Sequence, residues 1–301
     1  MPRKLSTYLK AEYGEKIYRL SLSSGCTCPN RDGSIKLPDG TPLTGGCTFC
    51  SEGGSGDFAT EVAPIDEQIE KAKLVICKKT DAKRFIAYFQ SFTNTYGDLS
   101  RLEELYTKAI QRDDIEILSI GTRPDCINDE VIAMLKRLNS IKPVWIELGL
   151  QTINEESALR FHRGYELKVF DDAYKRLKDA GIDVIIHVIF GLPFETEEDM
   201  LGTIRYLSLL EPGIDGIKIQ NLQVLKGTKL FEEFEEKPFH ILGLEEYTEL
   251  VKKSLELLPE SVVVHRITGD GPKRILVEPK WSADKKRVMN YMNKELKDIL
   301  I

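Results

Sequence analysis

The sequence lacks any stretch approaching the eighteen or so apolar residues of a membrane span, and its opening, MPRKLSTYLKAEYGEK, holds no apolar run that could act as a secretory signal. Both absences point to a cytoplasmic chain, where thiols stay reduced and clustered cysteines more often hold a metal or do chemistry than form disulfides. Low-complexity linkers and short repeats are missing too. What remains, 301 residues at 42% hydrophobic and 30% charged, buries a substantial core as one large domain or two small ones.

The formal charge of −6 is unevenly spread. Residues 1–36 hold 7 basic and 3 acidic side chains and residues 265–301 hold 9 and 5, so each end is +4 and the middle is −14. The acidic balance argues against indiscriminate coating of nucleic acid. Two basic ends that met in space would nevertheless make a local phosphate-binding surface; solvated charge without a partner accounts for the same pattern.

Four of the six cysteines fall in CTCPNRDGSIKLPDGTPLTGGCTFC, a glycine-rich, proline-broken loop without apolar period. One reading is a closed zinc site of Cys26, Cys28, Cys47 and Cys50. Another is an iron–sulfur cluster on thiolates, one iron staying open if only three are ligands. The tight C-x-C spacing of the first pair is unusual for a zinc knuckle, and a redox dithiol is the third possibility. Cys77 and Cys126 sit in periodic segments and are expected to be buried, inert small hydrophobes.

Apolar, β-branched runs at 16–22, 84–89, 115–121, 144–151, 182–191 and 214–222 alternate with segments of helical spacing. Asn128 and Thr196 stand as N-caps before acidic first turns. Six βα units fit either a doubly wound sheet or most of a barrel. No G-x-G-x-x-G follows the first strand, as a doubly wound dinucleotide fold would show. Polar and glycine-containing groups instead lie just past several strand ends, QSFTNTY, GTRPD, GLQT, GLP and QNLQ, which is where barrels build their sites. The expected fold is an α/β partial (β/α)6 TIM-type barrel over 1–260, with an N-terminal cluster-binding loop at 23–60 and a C-terminal extension, 261–301, capping the substrate side.

The CPN…GGCTFC loop followed by GTRPD, ELGLQT, HRGY and GLP resembles the radical S-adenosylmethionine (SAM) superfamily, in the branch related to the Elongator catalytic subunit and its short bacterial YhcC/YtqA-like family. The resemblance spans nearly the whole chain. It implies a [4Fe-4S] cluster on Cys28, Cys47 and Cys50, the catalytic and metal-binding set, with Cys26 spare. It also implies SAM on the open iron, a 5′-deoxyadenosyl radical, and an electron donor such as flavodoxin or ferredoxin. Phe49 would pack by the adenine, Gln90 and Ser91 would stand where relatives bind the methionine amino group, and Arg163 would pair with the methionine carboxylate. Gly191 and Pro193 would shape the adenine wall. Glu147 and Gln151 share a strand face by their even separation, and ribose hydroxyls would partner Glu147. Candidates on the substrate side are Arg123 and Asp125, equally well an internal ion pair, His187, and the HRITGDGPK segment with His265, Arg266 and Lys273. The implied substrate is tRNA, modified on the C5 side chain of its wobble uridine, for example carboxymethylaminomethyl to aminomethyl. A radical enzyme acting on a small molecule or protein, a non-catalytic zinc RNA-binding protein and a cluster-bearing electron carrier are the alternatives.

Overall fold

The computed structural model describes residues 1–37, 39–54 and 57–301; Pro38, Ser55 and Gly56 of the 23–60 loop lie outside the described residues. Eight strands form one sheet: β1 (Arg3–Lys4), β2 (Tyr18–Leu22), β3 (Phe85–Phe89), β4 (Ile115–Thr122), β5 (Val144–Gln151), β6 (Asp183–Phe190), β7 (Gly216–Asn221) and β8 (Val263–Arg266). Their order is β1-β8-β7-β6-β5-β4-β3-β2 and every pairing is parallel. β1 and β2 are the two edges, so the barrel is partial, as expected, and has an open seam.

The helices are α1 (Leu5–Tyr13), α2 (Ile65–Cys77), α3 (Leu99–Ile110), α4 (Asp129–Asn139), α5 (Glu155–Arg160), α6 (Leu167–Asp179), α7 (Glu197–Ser208), α8 (Lys229–Glu236), α9 (Leu244–Leu257) and α10 (Lys285–Glu295). The two expected caps form: the Asn128 side chain accepts from the Val131 N–H, and Thr196 and Asp199 make a reciprocal capping box. On α3, Leu102, Tyr106, Ala109 and Ile110 recur at helical spacing and are fully buried against the sheet. Each such large side chain contributes roughly 1.5–3 kcal/mol by leaving water.

Strand alternation splits the sheet into two faces. Outward residues such as Leu20, Phe85, Leu118, Ile146, Val184 and Ile217 join the core under the helices. Inward residues stack in layers across the barrel. The lowest is apolar, made by Ile17, Ile86, Ile117, Trp145 and Ile185, and α1 closes it from below with Leu9.

Two expectations need correction. The sheet runs past residue 260: β8 pairs with β7 and β1, and Val288 and Met292 of α10 belong to the main core, so 261–301 is not a separate cap. β8 is only four residues long, too short to announce itself by period. Cys77 is exposed at the end of α2 rather than buried, and Cys126 is half-buried. The basic chain ends do meet, with Lys4 N–H donating to Ile301 O at 2.6 Å and Ile301 N–H to Pro2 O at 3.3 Å.

Candidate active site

The loop after β2 folds back over the carboxyl ends of the strands. A short antiparallel pair, Asp32–Lys36 with Pro42–Thr44, gives it a stem. Gly45 and Gly46 then turn the chain at φ of 88° and 92°, a region other residues rarely adopt. Asn30 ties the loop to the barrel, its Nδ2 donating to His162 O at 2.5 Å and lying 3.4 Å from Cys47 Sγ. Thr48 N–H donates to Phe161 O at 3.0 Å and Leu230 N–H to Thr48 O at 2.9 Å, which fixes the Cys47–Cys50 turn between two helices.

Cys28, Cys47 and Cys50 all face one central cavity of about 190 Å³. Cys26 does not; its sulfur packs 3.7 Å from Arg101 Nη2 on the far side of the loop. Burial pushes the Cys28 thiol up, while a hydrogen bond from Cys50 outweighs burial at Cys47 and, with Arg123, draws that thiol down to about 7. No three His, Cys, Asp or Glu side chains among the described residues gather closely enough to hold a single metal ion.

Below the thiols lies a second inward layer, and it is polar. Glu147, with no exposed side-chain surface, meets Lys218, which is 1% exposed. The same carboxylate accepts from Ser119 Oγ at 2.9 Å, contacts His187 Nε2 at 2.8 Å, and lies 3.8 Å from Arg19. Lys218 also donates to Tyr88 Oη at 3.0 Å, and Arg19 Nη2 lies 2.8 Å from His265 Nδ1. Burial pushes the Glu147 carboxyl up, but Lys218, the His187 hydrogen bond and Arg19 together hold it well below the usual range. Burial and the Lys218 charge press His187 down to about 4, so it is neutral at physiological pH. Arg19, Tyr88, Ser119 and Lys218 were not singled out by the sequence. The one usable signal was a lysine at an inward position of the apolar run GIKIQN.

The structure gathers Cys28, Cys47, Cys50, Phe49, Gln90, Glu147, Gln151, Arg123, His187 and Arg266 around the central cavity. Asp125 stands behind Arg123 in a two-pronged pair, Nε to Oδ1 2.9 Å and Nη2 to Oδ2 2.8 Å, which is the internal ion pair. Ser91 is buried beside Gln90 without lining the cavity. Arg163 is 1% exposed and spends its guanidinium on Leu150 O, Thr152 O, Tyr165 O and Glu155. It braces the β5–α6 connection and does not line the cavity; the cations that do are Arg31, Arg123, Lys218 and Arg266. Glu147 is likewise committed to protein partners, not free for a ribose. Pro193 lines a side cavity of about 180 Å³ with Leu192, Phe161 and Leu222, and Phe49 borders both cavities. Gly191 stands behind that wall at φ 87°, where a Cβ would come within 3.1 Å of Leu242. His265 is on β8 within the barrel floor, not in a loop after it, and Lys273 is exposed beyond it. Among the described residues, four non-glycine residues have φ between 59° and 72°: Phe92, Gln151, His162 and Phe194. Phe92 and Gln151 line the central cavity and Phe194 the side cavity, so backbone strain collects at the rim.

The open seam between β2 and the edge made by β1 and β8 carries a further cleft of about 340 Å³, lined by Lys4, Lys16 and Arg19 from one chain end and Arg266 and Lys285 from the other. Arg266 borders both this cleft and the central cavity.

Comparison with known proteins agrees with this architecture. The chain is 38% identical to the uncharacterized protein YtqA of Bacillus subtilis over 98% of its own length and 89% of that protein's. It is 26% identical to the tRNA uridine(34) acetyltransferase of Methanocaldococcus infernus, over 78% of this chain but only 45% of the longer protein. Among solved structures, Methanocaldococcus infernus Elp3 with an N-terminal deletion superposes with a TM-score of 0.63 at 23% identity, covering 77% of this chain and 58% of that one, which shows the shared fold. The family model for the Radical SAM superfamily matches residues 44–207, and that for the Radical_SAM C-terminal domain matches 214–298. With both models in sequence order on one half-barrel, the chain belongs to the radical SAM superfamily, enzymes that use a [4Fe-4S] cluster and S-adenosylmethionine.

Proposed function

We propose that Cys28, Cys47 and Cys50 hold the [4Fe-4S] cluster and that the enzyme acts on the C5 side chain of the wobble uridine in tRNA. The observation carrying the first part is the orientation of the sulfurs: three of the four loop thiols face one cavity and Cys26 turns away. That donor set fits a cluster with one open iron and does not fit a closed four-thiolate zinc site. A cluster held by these thiolates would supply one-electron reduction of S-adenosylmethionine and, from it, a hydrogen-abstracting 5′-deoxyadenosyl radical.

The chain's own residues position and shield. Phe49, at the border of the two cavities, offers an aromatic face and, with Leu192 and Pro193, an apolar wall of the kind an adenine ring packs against. Arg123, held rigid by Asp125, presents a fixed cation beside Cys47 that suits the methionine carboxylate. Gln90 and Gln151 supply polar contacts at the rim. The apolar layer below and the helices outside keep bulk water from the interior.

Kinship to the tRNA uridine(34) acetyltransferase and the meeting of the two basic ends at the seam support the tRNA reading. The reaction proposed is conversion of carboxymethylaminomethyl to aminomethyl uridine: two-electron oxidation at the methylene between nitrogen and carboxylate, with S-adenosylmethionine as the oxidant leaving as 5′-deoxyadenosine and methionine and one proton released, then hydrolysis of the resulting imine to the amine and glyoxylate. To test it, anaerobically reconstituted enzyme is reduced with S-adenosylmethionine and bulk tRNA from cells lacking the protein. Cleavage to 5′-deoxyadenosine that rises with this tRNA, together with new aminomethyl uridine in the nucleoside digest, is the expected result. Cleavage indifferent to tRNA and an unchanged digest would discard the tRNA substrate while leaving the cluster assignment standing.

A further inference from the structure

The polar layer of the barrel gathers more cationic side chains than carboxylates, and burial together with Arg19 and Arg266 already holds Lys218 well below its usual value. Arg19, Lys218 and Arg266 face a single interior carboxylate, Glu147. His187 and His265 are both pressed down by burial and by neighbouring cations, and add no anion. The other acid within reach is Asp270, 3.6 Å from Arg266 but drawn closer, at 2.8 Å, to Lys285. A surplus of cations out of water is unfavourable unless something negative joins it.

Two unfilled donors show where that partner belongs. The Nε–H of Arg19 is buried and has no hydrogen-bond partner among the described residues. Arg266, whose side chain is 29% exposed, forms that loose pair with Asp270 and no side-chain hydrogen bond among the described residues, although it stands between the seam cleft and the central cavity. Lys218 borders the central cavity from the other side.

We propose that Arg266, backed by Arg19 and Lys218, forms a subsite for a carboxylate on the substrate, reached through the seam and located where the seam cleft opens into the central cavity. A guanidinium fork binds a carboxylate through two parallel hydrogen bonds, and a half-enclosed site strengthens them. Phosphates belong elsewhere: the exposed Lys16 and Lys285 line the outer cleft, where a nucleic-acid backbone would pass. Identifying the carboxylate as the end of a uridine side chain rests on the function proposed above; the subsite itself does not.

The experiment uses cluster-loaded enzyme with S-adenosylmethionine and no reductant, so that nothing turns over. Anticodon stem–loops carrying 5-carboxymethyluridine or its neutral isostere 5-carbamoylmethyluridine at the wobble position are titrated by fluorescence anisotropy. The acid loop is expected to bind about tenfold tighter than the amide loop. Arg266→Gln should bring that ratio to about one, and Arg266→Lys should retain part of it. Equal binding of the two loops by the native enzyme, or an undiminished preference in Arg266→Gln, overturns the subsite. Binding of neither loop discards the RNA reading alone. The subsite is then decided by acetate against acetamide at constant ionic strength. A thermal midpoint raised by about 2 °C with acetate, absent in Arg266→Gln, supports it, and equal midpoints overturn it.

Discussion

Replacing Glu147 by Gln tests the barrel floor most directly. The substitution keeps the shape and removes the charge that Lys218, His187 and Arg19 surround. Lys218 would then be a fully buried ammonium between two guanidinium groups, and breaking one partner of such a pair costs about 3–5 kcal/mol. A contact between unit charges at an effective dielectric near 20 is worth about 4 kcal/mol, the same size. Against a total stability of about 5–15 kcal/mol, that loss is a large fraction. Lys218→Met should cost a similar amount by stranding the carboxylate. The double variant removes both charges, so it should be less destabilised than the sum by at least about 2 kcal/mol. Urea unfolding of the metal-free chain, followed by circular dichroism, gives all three values without cluster loss contributing. The pH adds a sign. Burial, Arg19 and Arg266 already hold Lys218 below its usual value against the pull of Glu147, and Glu147→Gln removes that pull, so the folded Lys218 falls further below its unfolded value. The unfolded chain then binds the extra proton, and the deficit should shrink as pH rises toward the lysine range. Additive single variants, or a deficit that grows with pH, would refute the floor as a charge-coupled unit.

Three further outcomes are expected. Serine at Cys28, Cys47 or Cys50 should take anaerobically reconstituted protein from about four irons per chain to near none, with loss of its brown absorbance, whereas Cys26→Ser should keep both; iron analysis decides. Glu195, with both carboxylate oxygens buried and unpartnered, is pushed up to about 7 by burial, so its ionisation costs folded stability as pH rises from the unfolded value through that point. Glu195→Gln should therefore raise stability by about 1–3 kcal/mol at pH 8 and by almost nothing near pH 4, and equal gains at both would contradict the assignment. At Gly216 a Cβ would lie 2.9 Å from His265 Nε2 and 3.0 Å from Val263 O, so Gly216→Ala should destabilise by about 1–3 kcal/mol through β8, a loss that thermal melts would reveal.

The parts of the molecule that were legible in the sequence are those in which a short segment decides its own structure. The six longer strands, the Asn128 and Thr196 caps and the cysteine loop announce themselves by period, capping chemistry or spacing. The floor does not, because its partners are far apart in the chain: Arg19 meets His265 across 246 positions and Lys218 meets Tyr88 across 130. The two arginines needed the fold for a related reason. Arg163 lies in the motif that looked cofactor-bound, yet carbonyls of its own turn, of β5 and of the residue after β5 absorb its donors. Arg123, a substrate-side candidate and equally an internal ion pair, is paired with Asp125 and held at the cavity wall by that pair. Cys77 failed because a helix end frays outward even when its period predicts burial.

The apolar layer made by Leu9, Ile17, Ile86, Ile117, Trp145 and Ile185 has a consequence beyond packing. It is an insulating slab set directly under the charges of the floor. Field lines from Arg19, Lys218 and Arg266 meet little in that layer to polarise and are directed toward the cavity and the seam. How hard the floor pulls on an anion is thus set partly by residues that touch no ligand. A polar substitution at Leu9, on a helix at the opposite end of the barrel from the thiols, would short-circuit that field without altering one contact in the cavity.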